Sequence, residues 1–259
     1  MLVCAEHSTR QSQPTPPTPA VWIGTSGWVY KHWQGLFYPS TLPAAQHLPF
    51  YATHFPTVEV NFSFYRLPER SVFEAWRRQT PEGFLFAVKG SRYLTHMKKL
   101  KEPHEPLSRL IHRVHGLGEK LGPVLWQFPR TWPVHLERLQ PFLDLLREYP
   151  GQRFACEFRH HSWLHPQVYA RLAHAGAALC LPVGPGIPLE SRLTAPWTCL
   201  RFHHGRQSIG YGAKELHTWA TSIQKFLDQG ADVYAYFNND SAGHAIRDAH
   251  RLRHVLGRE

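Results

Sequence analysis

Glu157 and Arg159 stand two residues apart in Phe154-Ala-Cys-Glu-Phe-Arg-His-His-Ser-Trp163. The apolar start of this stretch reads as a short buried strand. On a strand, residues two apart point to the same side. A carboxylate and a guanidinium sharing one face, followed at once by His160, His161 and Trp163, either pair to hold a core together or line a pocket. Comparable groups recur at the ends of other apolar runs. Glu59 and Asn61 share a face in Val58–Tyr65, Lys89 closes Phe84–Lys89, and Gln127 sits near the end of Pro123–Phe128. Arg201 and His203 share a face in Thr198–His203, while Asn238, Asn239 and Asp240 end another run with His244 four residues on. Such groups are costly to bury unpaired.

Their types define the chemistry open to them. Glu157 or Glu59 would act as general acid or base, tuned by the arginines. Arg159, Arg201 and Lys89 would hold a phosphate or a developing oxyanion. Asn61, Gln127, His203 and Asn239 would orient a substrate, and Trp28 and Tyr65 would supply rings for stacking. Each has a plainer reading: the Glu and Arg residues as a structural ion-pair network, the aromatic residues as core or lid packing. Lys89 would form a Schiff base in a desolvated pocket, or more simply neutralise a carboxylate or bind phosphate. His160, His203 and His244 with Glu59, Glu157 and Asp240 are ligand types for a divalent metal, but no spacing among them supports a site. Gly24 and Gly27 form a tight-turn candidate and lack the third glycine of a dinucleotide fingerprint.

The elements that must position these groups alternate. Apolar strands are expected over 21–27, 58–65, 84–89, 123–128, 154–158, 177–183, 198–203 and 233–238. Amphipathic helices are expected near 44–55, 69–79, 105–121, 136–148, 166–175, 213–228 and 242–256, with a Gly/Pro-rich loop after the sixth strand. Strands joined by mostly helical crossovers imply a parallel sheet. At this length the natural closure is a single (β/α)8 barrel of about 250 residues, with its ligand site at the C-terminal strand ends. A doubly wound open sheet is the alternative.

Hydrophobic residues make up 42% of the 259-residue chain, which suits a folded globule rather than a disordered chain. No apolar run reaches the ~20 residues needed to span a bilayer, and the start of the chain has no signal-like apolar segment; a cytoplasmic location is expected. Residues 1–20, with four prolines among Ser, Thr and Gln, read as a flexible leader before a barrel domain over 21–259. Cys4, Cys156, Cys180 and Cys199 have neither zinc-knuckle nor redox-pair spacing and read as small hydrophobes. The net charge of +10 favours anionic partners.

Several of these stretches carry a resemblance. Ile23-Gly-Thr-Ser-Gly-Trp28 with Tyr30 and Trp33, Val58-Glu-Val-Asn61 with Phe64 and Tyr65, and Phe86-Ala-Val-Lys89 with Thr95 and His96 are three motifs. Leu121-Gly-Pro123 with Gln127-Phe-Pro129, Glu157-Phe-Arg-His160 with Ser162 and Trp163, and Phe237-Asn-Asn239 are three more. In order and spacing, from about Val21 to Leu256, they resemble the YecE-like family, known as domain of unknown function 72. The resemblance implies one TIM barrel and no established reaction. Two departures stand out. Arg201-Phe-His-His-Gly205 carries an extra histidine, leaving open which imidazole, His203 or His204, faces the pocket. Leu181-Pro-Val-Gly-Pro185 lacks the aspartate that many members place after the sixth strand.

The expectation is therefore a barrel protein whose polar, cationic mouth takes an anionic ligand, phosphorylated or derived from nucleic acid. Three classes compete: a phosphodiester or sugar-phosphate hydrolase or lyase, metal-dependent by fold analogy; a nucleic-acid binder using Arg92, Lys98, Lys99 and Lys101; and a metabolite-binding protein without catalysis. The cofactor is unassigned.

Overall fold

The computed structural model describes residues 18–258. The expected leader thus lies, up to residue 17, outside the described residues, as does Cys4. Eight parallel strands are present among them: β1 Val21–Thr25, β2 Thr57–Val60, β3 Leu85–Lys89, β4 Leu121–Gln127, β5 Phe154–Glu157, β6 Ala178–Val183, β7 Trp197–Phe202 and β8 Asp232–Phe237. They pair in the order β1-β8-β7-β6-β5-β4-β3-β2, and a bridge between Ser26 and Glu59 joins the last strand back to the first. The chain is a (β/α)8 TIM barrel. Its α-helices are α1 His47–Ala52, α2 Arg70–Gln79, α3 His104–Val114, α4 Leu136–Leu146, α5 Pro166–His174, α6 Ala213–Asp228 and α7 His244–Val255.

The period of two sorts each strand between two cores. Val58, Phe86, Val124, Cys156, Leu179 and Leu200 point outward and pack with the helices. Ala87, Leu125, Ala155, Cys180, Cys199, Tyr234 and Tyr236 fill the barrel interior. Cys156, Cys180 and Cys199 are free thiols buried in these layers. The lower interior is plugged by Trp22 stacked on Tyr234 at 4.6 Å. Beside that pair Arg153 donates to Asp232 (2.7 Å) and to the Tyr234 hydroxyl (2.8 Å). One step further up on the same inward parity stand Glu59, Lys89, Gln127, Glu157, Arg201 and Asn238.

Between β1 and β2 the ladder is incomplete, and a side chain from α1 completes it. The Tyr51 hydroxyl accepts from the Thr25 backbone N–H at 2.9 Å and donates to the Thr57 carbonyl at 3.1 Å. Gly24 makes the approach possible, because a Cβ there would lie 2.1 Å from the Thr57 carbonyl oxygen.

Two expected boundaries move furthest. The second strand stops at Val60, not residue 65, and Phe62–Phe64 form a 3-10 turn. The Ser63 hydroxyl donates to the carbonyls of Val60 (3.0 Å) and Lys89 (2.6 Å), occupying acceptors that a longer strand pair would use. The third helix stops at Val114, and a tighter turn over His115–Lys120 leads directly into β4. Gly118, at φ 56°, breaks the helical path within that turn.

Replacing Tyr51 by Phe leaves the Thr25 N–H and the Thr57 carbonyl buried without their partner. We expect a loss of about 1–3 kcal/mol in urea unfolding. Unchanged stability would mean that the hydroxyl does not hold the seam.

Candidate functional site

The interior at the C-terminal strand ends is a chain of paired charges. Arg201, fully buried on β7, donates from Nε and Nη2 to both oxygens of Glu59, each at 2.7 Å. Its Nη1 donates to Glu157 Oε2 at 2.7 Å. The other Glu157 oxygen accepts from Arg159 Nε. All four carboxylate oxygens are therefore held by guanidinium groups. Arg159 Nη2 lies 2.6 Å from His203 Nε2. A guanidinium only donates, so Nε2 accepts. On the other side of the ring the Asn238 amide nitrogen lies 3.2 Å from Nδ1, and the Asn238 amide oxygen accepts from Asn61 Nδ2 at 3.2 Å.

Burial and charge set the ionisation states. Burial alone would raise the Glu157 carboxyl, but Arg201 and Arg159 outweigh it and hold the group well below the usual carboxylate range. Burial lowers His203 to about 2, with Arg201, Arg159 and Lys89 adding to the effect. Burial likewise lowers His96 to about 4, helped by Lys89, Arg92 and Arg159. Both imidazoles are neutral at physiological pH. Lys89, only 7% exposed, is lowered to about 8 by burial and then by Arg201. It makes no ion pair among the described residues, and its ammonium rests over the Phe64 ring at 4.1 Å. His96 meets the same ring edge-on at 5.0 Å.

The expected residues divide. Glu59, Glu157, Arg159, Arg201, His203 and Asn61 form one connected network with Asn238, and Lys89 stands beside it. Asn61 lies just beyond β2 rather than on it, and reaches the network from the start of the 3-10 turn. Gln127 ends β4 in register with Glu157. Asn239 points away: its amide bonds the Ile209 carbonyl and Asp248, both at 2.9 Å. Tyr65 is 69% exposed at the rim. Trp28 packs edge-on against Trp76 beside the mouth, whereas Trp163 is wholly buried and donates to the Trp132 carbonyl. Of the two adjacent histidines, His203 faces the network; His204 lines a side hollow with Tyr211 and Trp219.

The residue types considered for a metal are not gathered. His160 bonds Ser162, and Asp240 bonds Trp33 and His32. Among the described residues no cluster of three or more His, Cys, Asp or Glu is placed to hold a metal ion. Asn238 and His96 are the participants that the reading of roles passed over. Strand parity signalled the first, since Tyr234, Tyr236 and Asn238 alternate on one face.

The family described as "Protein of unknown function DUF72" matches residues 22–259. UPF0759 protein YunF of Bacillus subtilis is 26% identical over 270 residues, covering 91% of this chain and 94% of that protein. UPF0759 protein YecE of Escherichia coli K12 is 31% identical over 153 residues, 58% of this chain and 51% of that one. A DUF72 family crystal structure from Thermotoga maritima aligns with a TM-score of 0.81 at 29% identity, covering 92% of this chain and 99% of that chain. A second, from Enterococcus faecalis, aligns at 0.77 with 22% identity, covering 92% and 95% of the two chains.

Two tests address the network. Replacing Arg201 by Met strands the buried Glu59 carboxylate and frees one oxygen of Glu157, and is expected to cost about 3–5 kcal/mol in urea unfolding. Arg159→Met, which releases one Glu157 oxygen while Arg201 still holds the other, should cost clearly less; equal losses would show that Arg201 is not the keystone. For acid stability, His203 stays neutral when folded but protonates near 6.5 when unfolded. Its contribution is therefore complete above that pH and is lost as pH falls, by at most about 1.4 kcal/mol per pH unit. His203→Gln should flatten the loss between about pH 6 and pH 5, and an unchanged slope would show that His203 is not its source.

Proposed function

The chain belongs to the DUF72 family, whose description assigns no activity, and from that premise we propose that the barrel mouth binds a small anion-bearing ligand. One observation carries the reading: Lys89 is an almost fully buried ammonium without a counter-ion among the described residues, beside a guanidinium pair whose carboxylates are already used. Three cations, Arg201, Arg159 and Lys89, face two carboxylates. A bound anion supplies the missing charge, reached by Lys89 and Arg159 from below and by Arg92 from the rim. The charges are recessed, with the Arg159 side chain only 8% exposed. Recession favours a small ligand over a nucleic-acid backbone tracked across a surface.

In this reading Glu59 and Glu157 hold the arginines in place. With every oxygen occupied and Glu157 kept ionised, neither is free to serve as a general acid or base in the resting site. Any proton transfer in a hydrolase or lyase reaction falls instead to Lys89, whose pKa of about 8 is near neutrality. Three buried free thiols support a reducing compartment such as the cytoplasm. Among the described residues no helix is long and apolar enough to cross a membrane.

Sulfate, whose charge does not change near neutrality, is the probe of choice. Calorimetry should detect its binding to wild type, and Lys89→Met should weaken it by about ten-fold. Deprotonation removes the Lys89 charge, so wild-type affinity should fall as pH rises through about 8, and the variant's should not. No binding by wild type, or identical pH profiles, would refute the reading.

A further inference from the structure

Beside the mouth, at the ends of β1 and β2, lies a cleft of about 420 Å³. Trp28, Tyr30 and Trp76 line it, Ser26 and Asn61 add polar groups, and Phe62 stands at its edge. Phe62 is 58% exposed and Val29, also in the lining, 66%. These are large apolar side chains left open to water at an aromatic hollow.

Two polar atoms in the lining lack partners. The Ser26 hydroxyl is buried and unbonded, although the residue's backbone is engaged, with N–H to Phe237 and carbonyl to the Tyr30 hydroxyl. One end of the Asn61 amide is also buried without a partner, while the other meets Asn238 of the charge network. Asn61 therefore belongs to both the cleft and the mouth. Unbonded buried polar atoms are rare and call for an explanation.

We propose that this cleft is the second half of the ligand site and takes a flat heterocyclic ring carried by the anion bound at the mouth. The inference rests on the anion-binding reading of Lys89 and Arg159. The walls decide the ring's class. A sugar brings several hydroxyls, each needing a partner, to a surface of indole and phenyl carbons with only two free polar atoms. A planar heterocycle offers faces for the aromatic walls and one or two edge atoms for Ser26 and Asn61.

The test compares adenosine 5′-monophosphate, ribose 5-phosphate and adenosine by calorimetry on the full chain. The nucleotide should bind about ten-fold more tightly than ribose 5-phosphate. Ser26→Ala and Phe62→Ala should remove that difference while leaving ribose 5-phosphate binding unchanged. Ser26→Ala deletes an unbonded hydroxyl, so its melting temperature should match or exceed that of wild type; a serine serving the fold would show the opposite. Equal affinity for nucleotide and ribose 5-phosphate overturns the ring subsite and leaves the anion site standing. Adenosine binding with no response to either phosphate supports the cleft and removes the anion site. Failure of all three overturns both.

Discussion

The upper interior of this barrel depends on a guanidinium removed from water. Taking such an ion into a protein costs several kcal/mol even after relaxation, and the cost is offset only where its N–H groups meet acceptors in good geometry. Arg201 meets that condition by bridging Glu59 on β2 and Glu157 on β5 from its own place on β7. None of these strands neighbours another in the sheet order. One side chain therefore ties together three separate parts of the barrel wall. A buried ion network of this kind adds little net stability over an apolar core, but it allows few alternative arrangements. It fixes where Arg159 sits, and Arg159 in turn engages His203 Nε2.

The electrostatics of the mouth follow from that fixed frame. Because the arginines consume both carboxylates, what remains facing outward is cationic or neutral: Arg159, Lys89, Arg92 and two imidazoles kept unprotonated by their surroundings. An incoming anion relieves repulsion among these groups. An incoming metal cation would add to it, and would find His203 Nε2 already engaged by Arg159. The preference for negative charge thus arises from how the charges are shared, not from the count of basic residues in the chain.

Much of this was legible in the sequence because strand parity is a strong constraint. The alternation of Cys199, Arg201 and His203, or of Ala155, Glu157 and Arg159, requires one interior face, and the structure places these groups there. The barrel itself followed from eight apolar runs separated by amphipathic ones. Parity failed where the backbone left the strand. Asn61 was read as a strand residue, but the Ser63 hydroxyl captures two carbonyls and turns the chain at that point. Asn239 lies one residue beyond the inward Asn238 and is claimed by Asp248 on α7, a pairing on which strand parity says nothing. The Tyr51 seam was equally invisible, since it replaces a backbone hydrogen bond by a hydroxyl from a helix. Which carboxylate oxygens remain free is a property of three-dimensional pairing alone.

The early end of β2 links the two halves of the proposed site. By turning at Asn61, the chain brings the Ser63 hydroxyl onto the Lys89 carbonyl and so anchors the end of β3. The same turn slides Phe64 beneath the Lys89 ammonium, where the ring face favours the cation without neutralising it. It also swings Phe62 outward to the edge of the aromatic cleft. Had the strand continued, these three side chains would have alternated across the sheet, and neither the uncompensated lysine nor the cleft wall would exist in this form. Departures from a regular pattern tend to occur where a protein trades local preference for function. Here a single departure sets the charge that an anion would answer and the wall that its ring would meet.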